Sequence, residues 1–332
     1  MQTFIVRRLL IGVLILFVLS VTVFLLLRIV PGDPAIQKCG LNCKEDQIKA
    51  IRHELGLDKP YFPVNFEGGP PFASFNTASQ YGDWLKGVVT GDLGTSTVNN
   101  RPVSESIRKR FPVTLELMLL TLVMTIFVGI PFGVVSAVWK NSPADLLVRF
   151  TAIFGLAVPV FWVATLVLIL PQEWWGYAPP LGGRYVHLMD NPFENLKQFL
   201  PPAAVLALSS AAGVMRLTRS SLLETLRQDY MRTARAKGLR ERTVVFSHGL
   251  KNSLIPVVTV LGLQMAGLLG GALIVEQIFT LPGLGDYTFR ALFQKDFEVV
   301  QTMTLYAGVT VVVLNLAVDV SYAWLDPRIR YS

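Results

Sequence analysis

The chain has 332 residues, and the first question is which of them have the types and spacing for chemistry. His53, His187 and His248 lie in three different segments and form no H-E-x-x-H or similar ligand spacing, so each reads as a loop residue. Cys39 and Cys43 are the only cysteines, four positions apart. Three readings stay open for them: a disulfide in an oxidising compartment, two free thiols, or a metal site, the last poorly supported because only His53 is near in sequence. No G-x-x-x-x-G-K-[ST] phosphate loop occurs, and Gly283-Leu284-Gly285 lacks the third glycine of a dinucleotide fingerprint. No Ser/His/Asp constellation follows from spacing. The chain therefore reads as a non-enzyme, with no metal and no cofactor of its own.

The elements that carry these residues are apolar. Hydrophobic residues make up 52% of the chain and charged residues only 16%, with a mean hydropathy of +0.48. A soluble domain carries about a quarter charged residues, so a soluble globular enzyme is disfavoured. Six stretches hold no charge: residues 9–27, 117–139, 150–172, 198–215, 252–275 and 299–318. A helix of roughly 20 residues crosses the hydrocarbon of a bilayer. The expected fold is an all-α membrane protein with six transmembrane helices. Residues 198–215 are the shortest run, with Pro201 and Pro202 expected in its first helical turn. Residues 9–27 exceed the apolar length of a cleaved signal peptide and read as an uncleaved anchor.

Lysine and arginine placement sets the orientation. Residues 216–251 form the most basic short loop, with nine bases against Glu224, Asp229 and Glu241. Placing that loop, Arg7 and Arg8 inside puts both termini in the cytoplasm. The net charge of +7 then belongs to the membrane's inner face, and nucleic acid is not needed to explain it. The organisation expected is a tail and first span (1–30), a long extracytoplasmic segment (31–112), and a core of five spans with a cytoplasmic loop (113–332). Within the outer segment, residues 46–57 and 80–89 carry helical periodicity, and 61–79 read as an irregular loop.

Inside the spans polar groups are few. Gln264 sits at a span centre, where it lines a path or bonds a neighbouring helix; Asn315 and Asp319 fall towards the inner end of span six. This scarcity argues against an ion-coupled carrier. Gly262, Ala266 and Gly270 recur every four residues, a spacing for close helix contact within this chain or with a second membrane subunit. In the basic loop, a short helix can end at Gly238, because glycine takes the left-handed cap conformation at low cost. Ala234 and Ala236 keep that helix slim enough to seat in a groove.

This loop resembles the EAA loop of ABC importer permeases. Arg232-Thr233-Ala234-x-x-x-Gly238 follows the family spacing, and His248-x-Leu250 occupies the later I-x-L positions. Arg232 replaces the usual glutamate, Thr233 the first alanine and His248 the isoleucine; Lys251 stands where proline is usual, with proline delayed to Pro256. Arg7-Arg8-Leu9-Leu10, Pro31-Gly32-Asp33-Pro34-Ala35, Leu55-Gly56-Leu57-Asp58-Lys59-Pro60, Gly91-Asp92-Leu93-Gly94-x-Ser96 and Phe279-x-x-Pro282-Gly283-Leu284-Gly285 occur in order. Together they resemble the B-type permease of oligopeptide and dipeptide importers, a group that also takes nickel and glutathione. Residues 61–79 stand out as an insertion.

The resemblance implies a type I ABC importer permease in the bacterial inner membrane, forming half of a translocation path. It implies that Arg232, Thr233, Ala234, Arg235, Ala236, Gly238, Leu239, His248 and Leu250 couple the spans to a separate ATPase. The partners implied are a homologous permease, two ATPase subunits holding ATP and Mg, and an extracytoplasmic substrate-binding protein, besides membrane lipid. A stand-alone secondary carrier or channel is the competing reading.

Overall fold

In the computed structural model, residues 2–29, 34–39, 43–54, 56–62, 79–181, 183 and 185–325 are described. Among them the regular structure is helical, apart from a single bridge between Thr95 and Pro102. In chain order the helices are α1 (Gln2–Ile29), α2 (Pro34–Cys39), α3 (Glu45–Glu54), α4 (Gln80–Thr90), α5 (Val103–Val138), α6 (Pro143–Ala157) and α7 (Val160–Trp175). There follow α8 (Pro192–Leu226), α9 (Asp229–Ala236), α10 (Glu241–Thr243), a π-helical stretch (Val244–Leu250), α11 (Lys251–Ile278), α12 (Leu284–Phe293) and α13 (Phe297–Leu325). Five helical segments are long and apolar enough to cross a membrane, and the pair α6 and α7 adds a sixth if it is one span. Their side chains fit a hydrocarbon solvent: Leu10, Val13 and Leu14 on α1 are each more than half exposed.

Two of the expected spans differ from their sequence reading. Residues 150–172 are not one straight helix, because α6 and α7 meet at a bend of 102°. Pro159 disfavours the helical conformation at the residue before it, and Val158 lies at φ −85°, ψ 128°. The fourth span also begins earlier than 198. Asn191 accepts a hydrogen bond from the Glu194 amide, Pro192 occupies the first turn, and Pro201 and Pro202 fall inside α8 instead of at its start. Polar capping residues lie outside any hydrocarbon window, so the apolar count undershoots the helix.

The chain divides into two units. The first comprises residues 1–9, 112–286 and 310–332. Its core packs Leu117 of α5, Phe199 and Ala203 of α8, and Ala272, Val275 and Phe279 at the end of α11, all buried. Close approach marks α11 against α13, where a Cβ on Gly262 would overlap the Val318 side chain. Gly262 therefore serves packing within the chain, whereas around Gly267 there is open space. A Gly262→Ile change is expected to cost about 1–3 kcal/mol of stability through overpacking. Adding Val318→Ala should recover most of that loss in a thermal-unfolding assay; no recovery would place the strain elsewhere.

The second unit comprises residues 10–111 and 287–309. Phe24 of α1 is fully buried among Phe62, Tyr81 and Trp84, with ring centroids 5.4–6.4 Å away. The Ser20 and Tyr81 hydroxyls are 2.9 Å apart, and the Arg28 guanidinium lies 4.6 Å above the Phe24 ring. Gln80 accepts from Arg28 Nε and donates to the Leu57 and Lys59 carbonyls, tying α4 to α1 and to the turn before it. Asp296 accepts from the Ser96 hydroxyl and from the Thr97 amide and hydroxyl. Cys39 and Cys43 are joined as a disulfide, their Cα atoms 5.9 Å apart. The expected apolar face of α3 buries no residue; Leu55 and residues 63–78, most of the presumed insertion, lie outside the described residues.

Candidate functional site

The basic loop starts as a continuation of α8. At 35 residues and 1.5 Å per residue this helix is about 52 Å long, well beyond a hydrocarbon core of about 30 Å. Its outlying turns are clamped to the α5–α6 corner. Asp145, fully buried, accepts from Arg219 Nε at 2.8 Å and Nη2 at 3.0 Å, from the Ser136 hydroxyl at 2.5 Å and from the Asn141 amide at 2.9 Å. A bidentate arginine–carboxylate pair fixes orientation as well as distance. Ser142 caps α6 by accepting from the Asp145 amide, so the carboxylate is itself rigidly presented.

On that support sits α9. Met231 is fully buried and Ala234 is 9% exposed; both pack on Val244 of the π-helical stretch and on Leu226. Gly249 admits this contact, since a Cβ there would lie 3.4 Å from the Met231 methyl and 3.3 Å from Leu222. Arg235 binds both oxygens of Glu241, at 3.1 and 2.9 Å, closing the loop between α9 and α10. Donating hydrogen bonds to that carboxylate raises the Arg235 guanidinium above its ordinary value, so it stays charged. The helix stops at Ala236, and Gly238 follows at φ +76° with nothing within 4 Å of a notional Cβ. Its requirement for glycine is conformational, not spatial.

One face of α9 is therefore used up and the other is open. Tyr230, Arg232, Thr233 and Ala236 are exposed, followed by Leu239. Among the described residues Arg232 pairs with Asp229, at 3.6 Å, and both side chains are largely in solvent. Ala234 and Leu250 were expected on the contact face, but they point into this chain: Ala234 covers Val244, and Leu250 joins Val134, Ala137 and Leu222. His248 is exposed, on a π-helical turn that periodicity did not anticipate, and its carbonyl accepts from Asn252. Met231, Val244, Gly249 and the Asp145–Arg219 clamp were missed by sequence reasoning. The Met231-x-x-Ala234 spacing was the available signal for a packed face; Asp145 and Arg219 lie 74 positions apart and offered none.

Gln264 donates to the Ser210 carbonyl of α8 at 3.3 Å, and its own carbonyl oxygen is buried without a partner. Ala266 is half-buried, and the surroundings of Gly270 lie outside the described residues. Asp319 pairs with Arg8 at 3.1 Å. The Pro282-Gly283-Leu284-Gly285 segment has a physical reason. It wraps the fully buried Glu276 carboxylate, which accepts from the Thr114 hydroxyl at 2.6 Å and the Asp286 amide at 3.0 Å. A Cβ on Gly283 would overlap that carboxylate.

Comparison with known proteins agrees over the whole chain. Residues 129–331 match the family described as binding-protein-dependent transport system inner membrane component, and residues 1–118 match its N-terminal companion. The oligopeptide transport system permease protein AppB of Bacillus subtilis is 39% identical over 332 residues, covering all of both chains. The dipeptide transport system permease protein DppB of Alkalihalophilus pseudofirmus and the glutathione transport system permease protein GsiC of Escherichia coli are each 36% identical, again with full coverage. The crystal structure of an amino acid ABC transporter with histidines shares the fold, with a TM-score of 0.53 at 14% identity, over 73% of this chain and 98% of that one. A helical bundle with its basic loop built into a rigid platform, no phosphate loop, and relatives of this kind over its full length lead to one assignment: the chain belongs to the family of binding-protein-dependent transport system inner membrane components.

Proposed function

We propose that the chain is one of two permease subunits of an ATP-driven importer, and that its substrate class is oligopeptides or dipeptides. The observation that carries the coupling role is the half-buried α9: Met231 and Ala234 anchor it, while Tyr230, Arg232, Thr233, Ala236 and Leu239 are left facing out. An ATPase subunit, binding ATP and Mg, engages that outward face. Closure of two such motors is converted into rearrangement of the spans, alternating access between the two sides. Driving such an equilibrium from 1:99 to 99:1 takes about 5.5 kcal/mol of differential binding, which a helix anchored on two sides can transmit. A homologous permease supplies the other half of the path, and an extracytoplasmic binding protein delivers the substrate. In this reading α9 and both termini are cytoplasmic, as lysine and arginine placement requires. The substrate class rests on the peptide permeases that match the chain end to end.

The competing stand-alone carrier has lost its best residues to other duties, since Gln264 bonds α8 and Asp319 pairs with Arg8.

The test is ATPase activity of the chain co-expressed with an ATPase, a second permease and a binding protein. Stimulation by peptide-loaded binding protein, abolished when residues 232–238 are scrambled, supports the reading. Transport by the isolated chain without ATP overturns it. A finer variant is Gly238→Val, which forces a β-branched residue into left-handed backbone at a cost of about 1–2 kcal/mol. Membrane insertion should stay normal while ATP-driven uptake falls; unchanged uptake would remove Gly238 from the coupling path.

A further inference from the structure

A groove between α6 and α8, in the first unit, has a composition that the coupling role does not use. Its cavity of ≈ 170 Å³ has apolar walls from Val148, Ala152, Ile153, Leu156 and Met215, and one end is ringed by Arg149, Arg216, Arg219 and Ser220. A second, wider cavity of ≈ 620 Å³ lies on the outer face of α6, against Leu146, Leu147 and Phe150. Arg149 and Ile153 line both. Apolar surface thus adjoins Arg149 in both cavities.

The charge at that point is not balanced among the described residues. Of the three arginines, Arg149 and Arg219 share one carboxylate, Asp145, and that carboxylate is already filled by Arg219, Ser136 and Asn141. Arg149 reaches it at only 3.5 Å, with its side chain 45% exposed. Arg216 is exposed and has no acid within ion-pair distance among the described residues. The ring therefore carries two positive charges in excess, bordered by groups that favour hydrocarbon. An arginine held at such a boundary extends its apolar stem along the helices and offers its head to a phosphate.

We propose that this groove binds one anionic phospholipid, its phosphate between Arg149 and Arg216 and its acyl chains along the apolar side chains of α6 and α8. The orientation proposed above places the basic end at the cytoplasmic leaflet, where anionic lipids attract basic residues. Charge excess beside apolar side chains fits an anionic headgroup carried on acyl chains, whereas an apolar protein helix would leave the arginines unmatched. Held there, the lipid braces the α6–α8 pair, and α8 runs on towards the coupling loop.

The test uses the assembled complex, purified and exchanged into equimolar phosphatidylglycerol and phosphatidylcholine, with retained lipid measured by native mass spectrometry. The natural chain should retain phosphatidylglycerol preferentially. Each basic group at an anionic lipid contributes about 1 kcal/mol, so Arg149→Gln with Arg216→Gln should lower that preference roughly 30-fold. Arg216→Lys should keep most of it. Should the double variant fail to assemble, Ile153→Glu, at a position 66% exposed, places a repelling charge in the groove without touching the Asp145 clamp. It should lose the lipid too. Equal retention of both lipids by the natural chain overturns the proposal. So does displacement of the lipid by inorganic phosphate, which marks a free-phosphate site, or a disulfide cross-link from Arg216→Cys to the second permease, which marks a protein contact. Peptide-stimulated ATPase of the same sample reports on the importer reading separately.

Discussion

Replacing Arg219 with methionine is expected to lower stability by about 3–5 kcal/mol, because it strands a carboxylate that has no access to water. Asp145 is fully buried, and the arginine contributes two of its four close hydrogen bonds and the nearest positive charge. Only Arg149 remains nearby, at 3.5 Å and half in solvent. The measurement is thermal or denaturant unfolding of the detergent-solubilised complex, with Asp145→Leu/Arg219→Met as its control. Removing both charges should be markedly milder than removing the arginine alone, since the cost arises from the unpaired charge and not from a net gain of the pair. A single-variant loss below about 1 kcal/mol would mean that water reaches Asp145. Because the clamp also seats the base of the α9 platform, the surviving fraction of Arg219→Met should show reduced ATP-driven uptake.

Changing Gly285 to valine is the second large effect. A Cβ at this position would lie 2.5 Å from the Leu273 Cα and 2.9 Å from its amide nitrogen, so the obstacle is backbone of α11, which cannot step aside. Overpacking of this kind costs about 3 kcal/mol or more, enough to abolish a stable protein of ordinary marginal stability. Gly283 differs, since the three atoms nearest a Cβ there all belong to the Glu276 carboxyl, whereas at Gly285 that carboxyl is one neighbour beside the Leu273 backbone. Gly283→Ala should therefore be partly rescued by Glu276→Ala in a double-variant cycle, whereas Gly285→Val should not be. Rescue of Gly285→Val by Glu276→Ala, read as recovered yield and melting temperature, would refute the backbone contact.

Much of this protein follows from local properties of the chain. Apolar runs determine that helices cross a membrane, because hydrocarbon leaves the backbone no other partners. The spacing of Gly238 and Ala234 marks a short helix and its stop, because a left-handed cap is a single-residue property. Resemblance over ordered motifs carried the family. The break of the third span was also locally encoded, in Pro159, although an apolar count passes over it.

Other features needed the third dimension. Ala234 and Ala236 are chemically the same, yet one covers Val244 and the other faces out, because only the packing of α9 on the π-helical turn tells them apart. Gly262 packs on Val318 while a Cβ on Gly267 would meet nothing within 4 Å, although both are glycines of the same span. Asp145 meets Arg219 across 74 positions, and Glu276 is enclosed by a loop that reads in sequence as punctuation. The sequence by itself determined the membrane class, the helices and the family, since these depend on solvent preference and short-range backbone geometry. The tertiary structure alone decided which face of each helix is spent on the chain's own core and which remains for a partner or a lipid, because burial belongs to pairs of elements that no local pattern brings together.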